Sequence, residues 1–148
     1  MLRLLIPLSM LSLMSIGAIF GFFYAWVCWT MWGLDATDPR VAITAMQAMN
    51  ASVRNPVFFP AFFLTPVILA MTAFIAGTND RKRSAVLFGL AAGLYAFGAL
   101  LVTVAINVPM NEALADLPAP PDSATARDAW QSYSAPWQLW NALRTLAV

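Results

Sequence analysis

Residues 107–144 read NVPMNEALADLPAPPDSATARDAWQSYSAPWQLWNALR, and the fold turns on how this stretch divides. Trp130, Tyr133, Trp137, Asn141 and Arg144 are spaced three, four, four and three residues apart, which puts them in one stripe along one helix face. Asn107 and Asn111 lie four apart around Pro109, at the outgoing end of an apolar run that begins near Ala85. The stretch joins two membrane helices, and polar groups from both face one membrane boundary. Between them Ala119, Pro120, Pro121 and Asp122 break regular structure, and residues 123–128 open the last helix.

The rest of the chain agrees. Of its 148 residues 61% are hydrophobic and 10% charged, with a mean hydropathy of +0.72. Those values describe an integral membrane protein, and the length suits a single domain, 1–148. Spans are expected at about 4–32, 56–76, 85–108 and 130–148. The fold class is all-α: a four-helix transmembrane bundle with a short amphipathic interfacial helix between spans 1 and 2. The first span lacks the short apolar core and small-residue cleavage site of a secretory signal, so it is read as a retained helix. From Pro136 only thirteen residues remain. They reach about 20 Å at 1.5 Å each, so the last helix is expected to begin before Pro136 or the natural chain to continue past Val148.

Local signals refine this plan. Asp38 followed by Pro39 resembles an N-cap and first helical position, after which Ala42, Ala45, Met46, Met49 and Val53 share a face. Gln47 and Asn50 flank that face and are expected to point toward the bundle. Pro60 falls in the first turn of span 2, while Pro66 lies deeper, where its ring opposes the Phe62 carbonyl and predicts a kink. Gly17, Gly21 and Ala25 form one small-residue face and Gly89, Gly93, Ala96 and Ala99 another, and the two are expected to meet.

Charge sets the expected orientation. Arg81, Lys82 and Arg83 cluster in one loop, with Arg3 near the N-terminus, whereas Glu112, Asp116, Asp122 and Asp128 lie in another. The positive-inside rule then gives a cytoplasmic N-terminus and loops 33–55 and 109–130 outside, and the expected location is a bacterial inner (plasma) membrane. All six tryptophans, at 26, 29, 32, 130, 137 and 140, fall in the outward half. That asymmetry predicts an aromatic-lined outer cavity or an outer protein contact. Cys28 is alone and histidine is absent. Intramolecular disulfides, thiolate clusters, histidine metal sites and Ser-His-Asp catalysis are thereby excluded. Met31, Met46, Met49 and Met110 also lie outward, but thioethers fill apolar gaps far more often than they bind Cu(I), so no metal is expected.

The candidate site lies where spans 3 and 4 meet. Arg144 is the costliest residue in the chain, because a charge inside a span needs partners or water. It either fixes an anionic or enolate-like oxygen, or it snorkels toward the cytoplasmic headgroups or makes a structural polar contact. Asn107, Asn111 and Asn141 donate and accept without titrating; they lock helices together or orient a ligand oxygen, and Asn50 joins them as a binding candidate. Trp130 and Trp137 offer flat apolar walls. Tyr133 is a candidate proton donor or acceptor and Glu112 a candidate base, although a phenol of ordinary pKa near 10 is a poor base at neutral pH.

At these residues the chain resembles the anthrone oxygenase-like family, small four-helix membrane proteins mostly uncharacterised in bacteria. The resemblance rests on Asn107-Val-Pro109-Met-Asn111, on Trp130, Tyr133, Trp137, Asn141 and Arg144, and on Met46, Asn50, Asn55 and Pro56, and it covers nearly the whole chain. It implies oxidation of anthrones to anthraquinones by molecular oxygen, with no metal or flavin cofactor, and makes Asn107, Asn111, Trp130, Tyr133, Trp137, Asn141 and Arg144 site candidates. Three functions stand open. The first is a pocket for a flat anthrone- or quinone-like molecule, with oxygenase chemistry. The second is a non-catalytic accessory subunit of a larger respiratory or photosynthetic membrane complex, and the third a lipid or quinone binding module. Membrane lipids are partners in each, and no nucleic-acid partner is expected.

Overall fold

The computed structural model describes residues 2–118 and 123–148; the break expected at Ala119, Pro120, Pro121 and Asp122 lies outside them. Helix α1 runs as Leu2–Ala25, widens into a π-helical turn at Trp26–Thr30 and finishes as Met31–Asp35. Helix α2 is Pro39–Ser52 and α3 is Phe58–Thr78. Helix α4 begins as Lys82–Leu94, is π-helical at Tyr95–Leu101 and Thr103–Asn107, and ends as Val108–Ala115. Helix α5 is Ser123–Leu146. Among the described residues there is no strand.

Capping chemistry sets the start of α2. The Asp38 carboxylate accepts from the Arg40 backbone N–H at 2.9 Å, and Pro39 occupies the first helical positions, where a missing N–H costs little. The Arg40 guanidinium also clasps Asp38, and these hydrogen bonds hold the Asp38 carboxyl below its usual range. The apolar stripe of α2 then buries Ala42, Ile43 and Met46. Helix α3 runs through Pro66, whose missing N–H orphans the Phe62 carbonyl one turn earlier. The buried Tyr95 hydroxyl of α4 donates to that carbonyl at 2.9 Å. A break in one helix is thus repaired by its neighbour.

The four long helices form a ring of antiparallel neighbours. Helix α1 packs on α3, α3 on α4, α4 on α5, and α5 back on α1, while α2 lies across one end against α5, the last turns of α4 and the end of α1. Ser12 and Thr72 share a buried 2.8 Å hydrogen bond between α1 and α3, the kind of contact that locks helices in an apolar medium. Among the described residues three helices are long and apolar enough to cross a membrane, Arg3–Asp35, Phe58–Thr78 and Lys82–Ala115. Helix α5 differs, because its inward stripe is polar and aromatic. Its start at Ser123 resolves the length problem, since 24 residues give about 36 Å of helix.

One expectation needs correction. The small-residue faces of spans 1 and 3 do not meet, because α1 and α4 stand on opposite sides of the ring. Gly89 instead faces Ala73 of α3, and Gly17 and Gly21 have open space beside them. The tryptophans also divide: Trp29 and Trp32 are exposed on α1, whereas Trp130 and Trp137 are buried. Only the second pair belongs to the interior.

The tightest of the glycine contacts occurs elsewhere. A Cβ added at Gly98 of α4 would overlap the Cβ of Ala147, just past α5, and neither backbone offers a flexible side chain to yield. Gly98→Ala should lower stability by about 1–3 kcal/mol, the cost of overpacking, read as an earlier thermal transition in detergent. An unchanged transition would show that the end of α5 is not seated as described.

Two apolar clusters fill the ring. One joins Met31, Ala42, Ile43, Met46, Leu114, Ala126, Trp130, Tyr133 and Trp137 under α2. The other joins Ile19, Phe23, Phe62, Leu69, Tyr95 and Ala99 deeper in the bundle. Met31 and Met46 are packing residues here, and the candidate site lies where the two clusters adjoin.

Candidate functional site

Every member of the α5 stripe is buried, as its spacing requires: Trp130, Tyr133, Trp137, Asn141 and Arg144. Opposite them, α4 passes through its second π-helical segment, which ends at the buried Asn107. Such wide turns recur at functional sites because they rotate side chains out of the ordinary register. Between these helices and α1 and α3 lies a cavity of about 300 Å³. Phe22, Phe23, Trp26, Phe58, Phe62 and Trp137 give it aromatic walls, and its polar groups come from Asn50, Arg54, Thr103, Asn111, Glu112 and Arg144.

Arg144 forms one end. It is 5% exposed, and its guanidinium donates through Nε (3.1 Å) and Nη2 (2.9 Å) to Asn141 Oδ1 and through Nη1 to Thr103 Oγ1 at 3.1 Å. Its Cζ sits 4.3 Å from the centre of the Phe23 ring and 5.2 Å from that of Trp137. Cation–π attraction and three hydrogen bonds to neutral acceptors thus stand in for water. The two ion pairs found among the described residues, Arg40–Asp38 and Arg54–Glu112, both exclude it. Among the described residues the positive charge in the wall has no carboxylate partner. This geometry overturns the snorkelling alternative, since the side chain is enclosed by the bundle.

Asn111 is fixed just as tightly. Tyr133 Oη donates to its Oδ1 at 2.8 Å and Trp137 Nε1 donates at 2.9 Å. An indole N–H can only donate, so the atom it faces must be the amide oxygen, and Nδ2 remains a donor on a residue that lines the cavity. The same logic orients Asn141, whose oxygen takes Arg144 and whose Nδ2 donates to the Phe23 carbonyl at 3.2 Å. Asn50 Nδ2 lies 3.4 Å from Tyr133 Oη, and Gln47 Nε2 donates to the Leu114 carbonyl at 2.8 Å, so both side chains of α2 turn inward as expected. Glu112 lies at the other end of the cavity, paired with Arg54 at 3.4 Å and exposed. It is nine residues beyond Thr103, about 13 Å along α4.

The candidates therefore sort by depth. Asn50, Asn111, Glu112, Trp137 and Arg144 line the cavity. Tyr133 and Asn141 stand behind it and hold Asn111 and Arg144. Asn107 is 1% exposed, lies off the cavity surface, and neither atom of its side-chain amide has a hydrogen-bond partner. Trp130 turns away altogether: its Nε1 donates to Asp35 Oδ1 at 2.8 Å. Its expected place as a second flat wall is taken by Trp26, whose ring centre is 5.2 Å from that of Trp137.

The sequence model of a family described as anthrone oxygenase matches residues 49–148, more than half of the chain. The chain belongs to the anthrone oxygenase family. The matched segment carries Asn50, Asn111, Glu112, Trp137 and Arg144, while Phe22, Phe23 and Trp26 precede it. No curated protein and no solved structure matches the chain.

Sequence reasoning missed several groups in this anthrone oxygenase family member. The phenylalanines of α1 and α3 read as ordinary span residues, although the doublets Phe22-Phe23, Phe58-Phe59 and Phe62-Phe63 were a visible signal. Thr103 gave none, because a lone threonine in a span usually bonds its own helix. Asp35 was also missed; its carboxylate accepts from Trp130 Nε1, Ser134 Oγ (2.7 Å) and Gln138 Nε2 (2.9 Å), tying the end of α1 to α5.

Proposed function

We propose that this protein binds a flat, hydrophobic anthrone-like ketone in the cavity and oxidises it with molecular oxygen. The observation that carries the reading is the buried Arg144, whose charge meets no carboxylate and is held beside aromatic walls. A fixed cation of this kind is worth most where negative charge develops during reaction. Aromatic walls suit a fused-ring body, and Arg144 with Asn111 Nδ2 suits its oxygen.

In this reading Glu112, the one carboxylate on the cavity lining, takes a proton from the methylene carbon opposite the ketone. Charge moves to the ketone oxygen, where Arg144 and Asn111 stabilise it. Tyr133 acts as a positioning residue, since its proton is committed to Asn111 Oδ1. The enolate passes one electron to oxygen and the resulting pair combines, forming a C–O bond with the proton returned to the peroxide. Loss of the remaining hydrogen on that carbon with cleavage of the O–O bond gives a second ketone and water. The balance is CH₂ + O₂ → C=O + H₂O.

The Arg81, Lys82 and Arg83 loop lies at the end of the bundle opposite the cavity. By the positive-inside rule the cavity then faces away from the cytoplasm. The single domain carries α1, α3 and α4 as spans and α5 as the polar-striped fourth helix.

Purified protein in lipid nanodiscs, supplied with anthrone, should consume one oxygen per anthraquinone formed, above the rate of spontaneous oxidation. Binding without turnover would reduce the protein to a quinone or lipid binding module, and neither binding nor turnover would sink the proposal.

A further inference from the structure

We propose that the cavity takes its ligand sideways from the bilayer, through a gap between α3 and α4, and that the Arg54–Glu112 ion pair roofs this gap on the aqueous side. The ligand class is an apolar molecule that partitions into hydrocarbon.

The gap follows from the helix paths. Helix α3 packs along Lys82–Leu94 and on into Tyr95–Leu101, but its backbone does not come close to that of Thr103–Asn107 or Val108–Ala115. Beyond Leu101 the two helices part, and the cavity occupies the space between them, lined by Phe58, Phe59, Phe62 and Phe63 on one side and Thr103, Val104 and Val108 on the other. Three of these residues also belong to the outer surface, since Phe59 is 42%, Phe63 44% and Val104 52% exposed. A residue that lines the cavity and faces outward marks where the cavity opens.

What the opening faces is set by its neighbours. Phe59, Phe63 and Val104 lie within two of the three apolar spans, and the adjacent exposed residues Leu64, Val67 and Leu101 are apolar as well. No charge interrupts this surface, so hydrocarbon covers it at lower cost than water. Charge appears only above it. Arg54, between α2 and α3, meets Glu112 of α4 at 3.4 Å across the top of the gap, and both side chains are about half exposed. An apolar ligand dissolved in the leaflet therefore meets an aromatic opening at its own depth, with Arg144 at the far end to receive an oxygen.

Only the identity of the ligand rests on the proposed anthrone chemistry, and the test separates the two. In a Cys28→Ser background, which removes the exposed native thiol, a nitroxide is attached at Val104→Cys and, in a second protein, at Phe63→Cys. Both are placed in phosphatidylcholine vesicles. Collisions with oxygen, which concentrates in hydrocarbon, should be frequent, and collisions with a water-soluble nickel chelate should be lost. Frequent nickel collisions at both positions would show a water-facing mouth, and few collisions with either reagent would show a closed wall; each overturns the proposal. Anthrone preloaded in the same vesicles should then reduce oxygen collisions at the label. If it does not, while the label stays accessible to oxygen, the anthrone reading fails and the lateral opening stands.

Discussion

Replacing Arg144 with methionine should lower anthrone-dependent oxygen consumption by about 100- to 1000-fold, the size expected for a lost donor to a developing oxyanion. The fold should survive. Taking a cation out of a buried site relieves a desolvation penalty, while Asn141 Oδ1 loses both of its Arg144 donors, and these changes oppose one another. The thermal transition should therefore move little. Arg144→Lys should not restore activity, because an ammonium cannot engage Asn141 and Thr103 and present a flat face to Phe23 and Trp137 at once. Full activity in Arg144→Met would remove the cation from the reaction. Loss of activity together with loss of the folded protein would make the residue structural only.

The second large effect is expected at Asn111, where two substitutions separate structure from binding. Asn111→Leu removes the acceptor shared by Tyr133 Oη and Trp137 Nε1 and leaves two buried donors unpaired. At about 1–3 kcal/mol for each orphaned group, the protein should unfold several degrees earlier. Asn111→Asp keeps an acceptor for both donors, so the tie between α4 and α5 should hold. It removes Nδ2–H and places a negative charge where the ketone oxygen becomes anionic, so turnover should be lost while the thermal transition stays within a few degrees. An active Asn111→Asp protein would mean that Nδ2 does not donate to the substrate.

The part of the architecture legible in the sequence was the part written in periodicity. The α5 stripe and the Asp38 cap with Pro39 follow from local spacing and stand where expected, and composition alone marks the three helices long and apolar enough to cross a membrane. The position of Arg144 along the bundle did not follow, because it depends on how far α5 slides past α4, and no local pattern encodes that register. Close packing at Gly98 against Ala147 contributes to setting it. Trp130 was misread for a related reason: a stripe fixes the face of a helix, whereas the partner depends on which element lies opposite, here Asp35 at the end of α1. The cavity walls from α1 and α3 were hidden because phenylalanine in a span faces lipid and interior alike. The small-residue faces misled because helix adjacency in the ring is a matter of topology, which glycine spacing does not record.

A crystal structure determined with anthrone present tests the central claim most directly. The account predicts the fused rings between Trp26, Trp137 and Phe62, with the ketone oxygen within hydrogen-bonding distance of both Arg144 and Asn111 Nδ2. Anthrone ordered elsewhere on the bundle, or a lipid chain in the cavity with Arg144 still bonded only to Asn141 and Thr103, would contradict it.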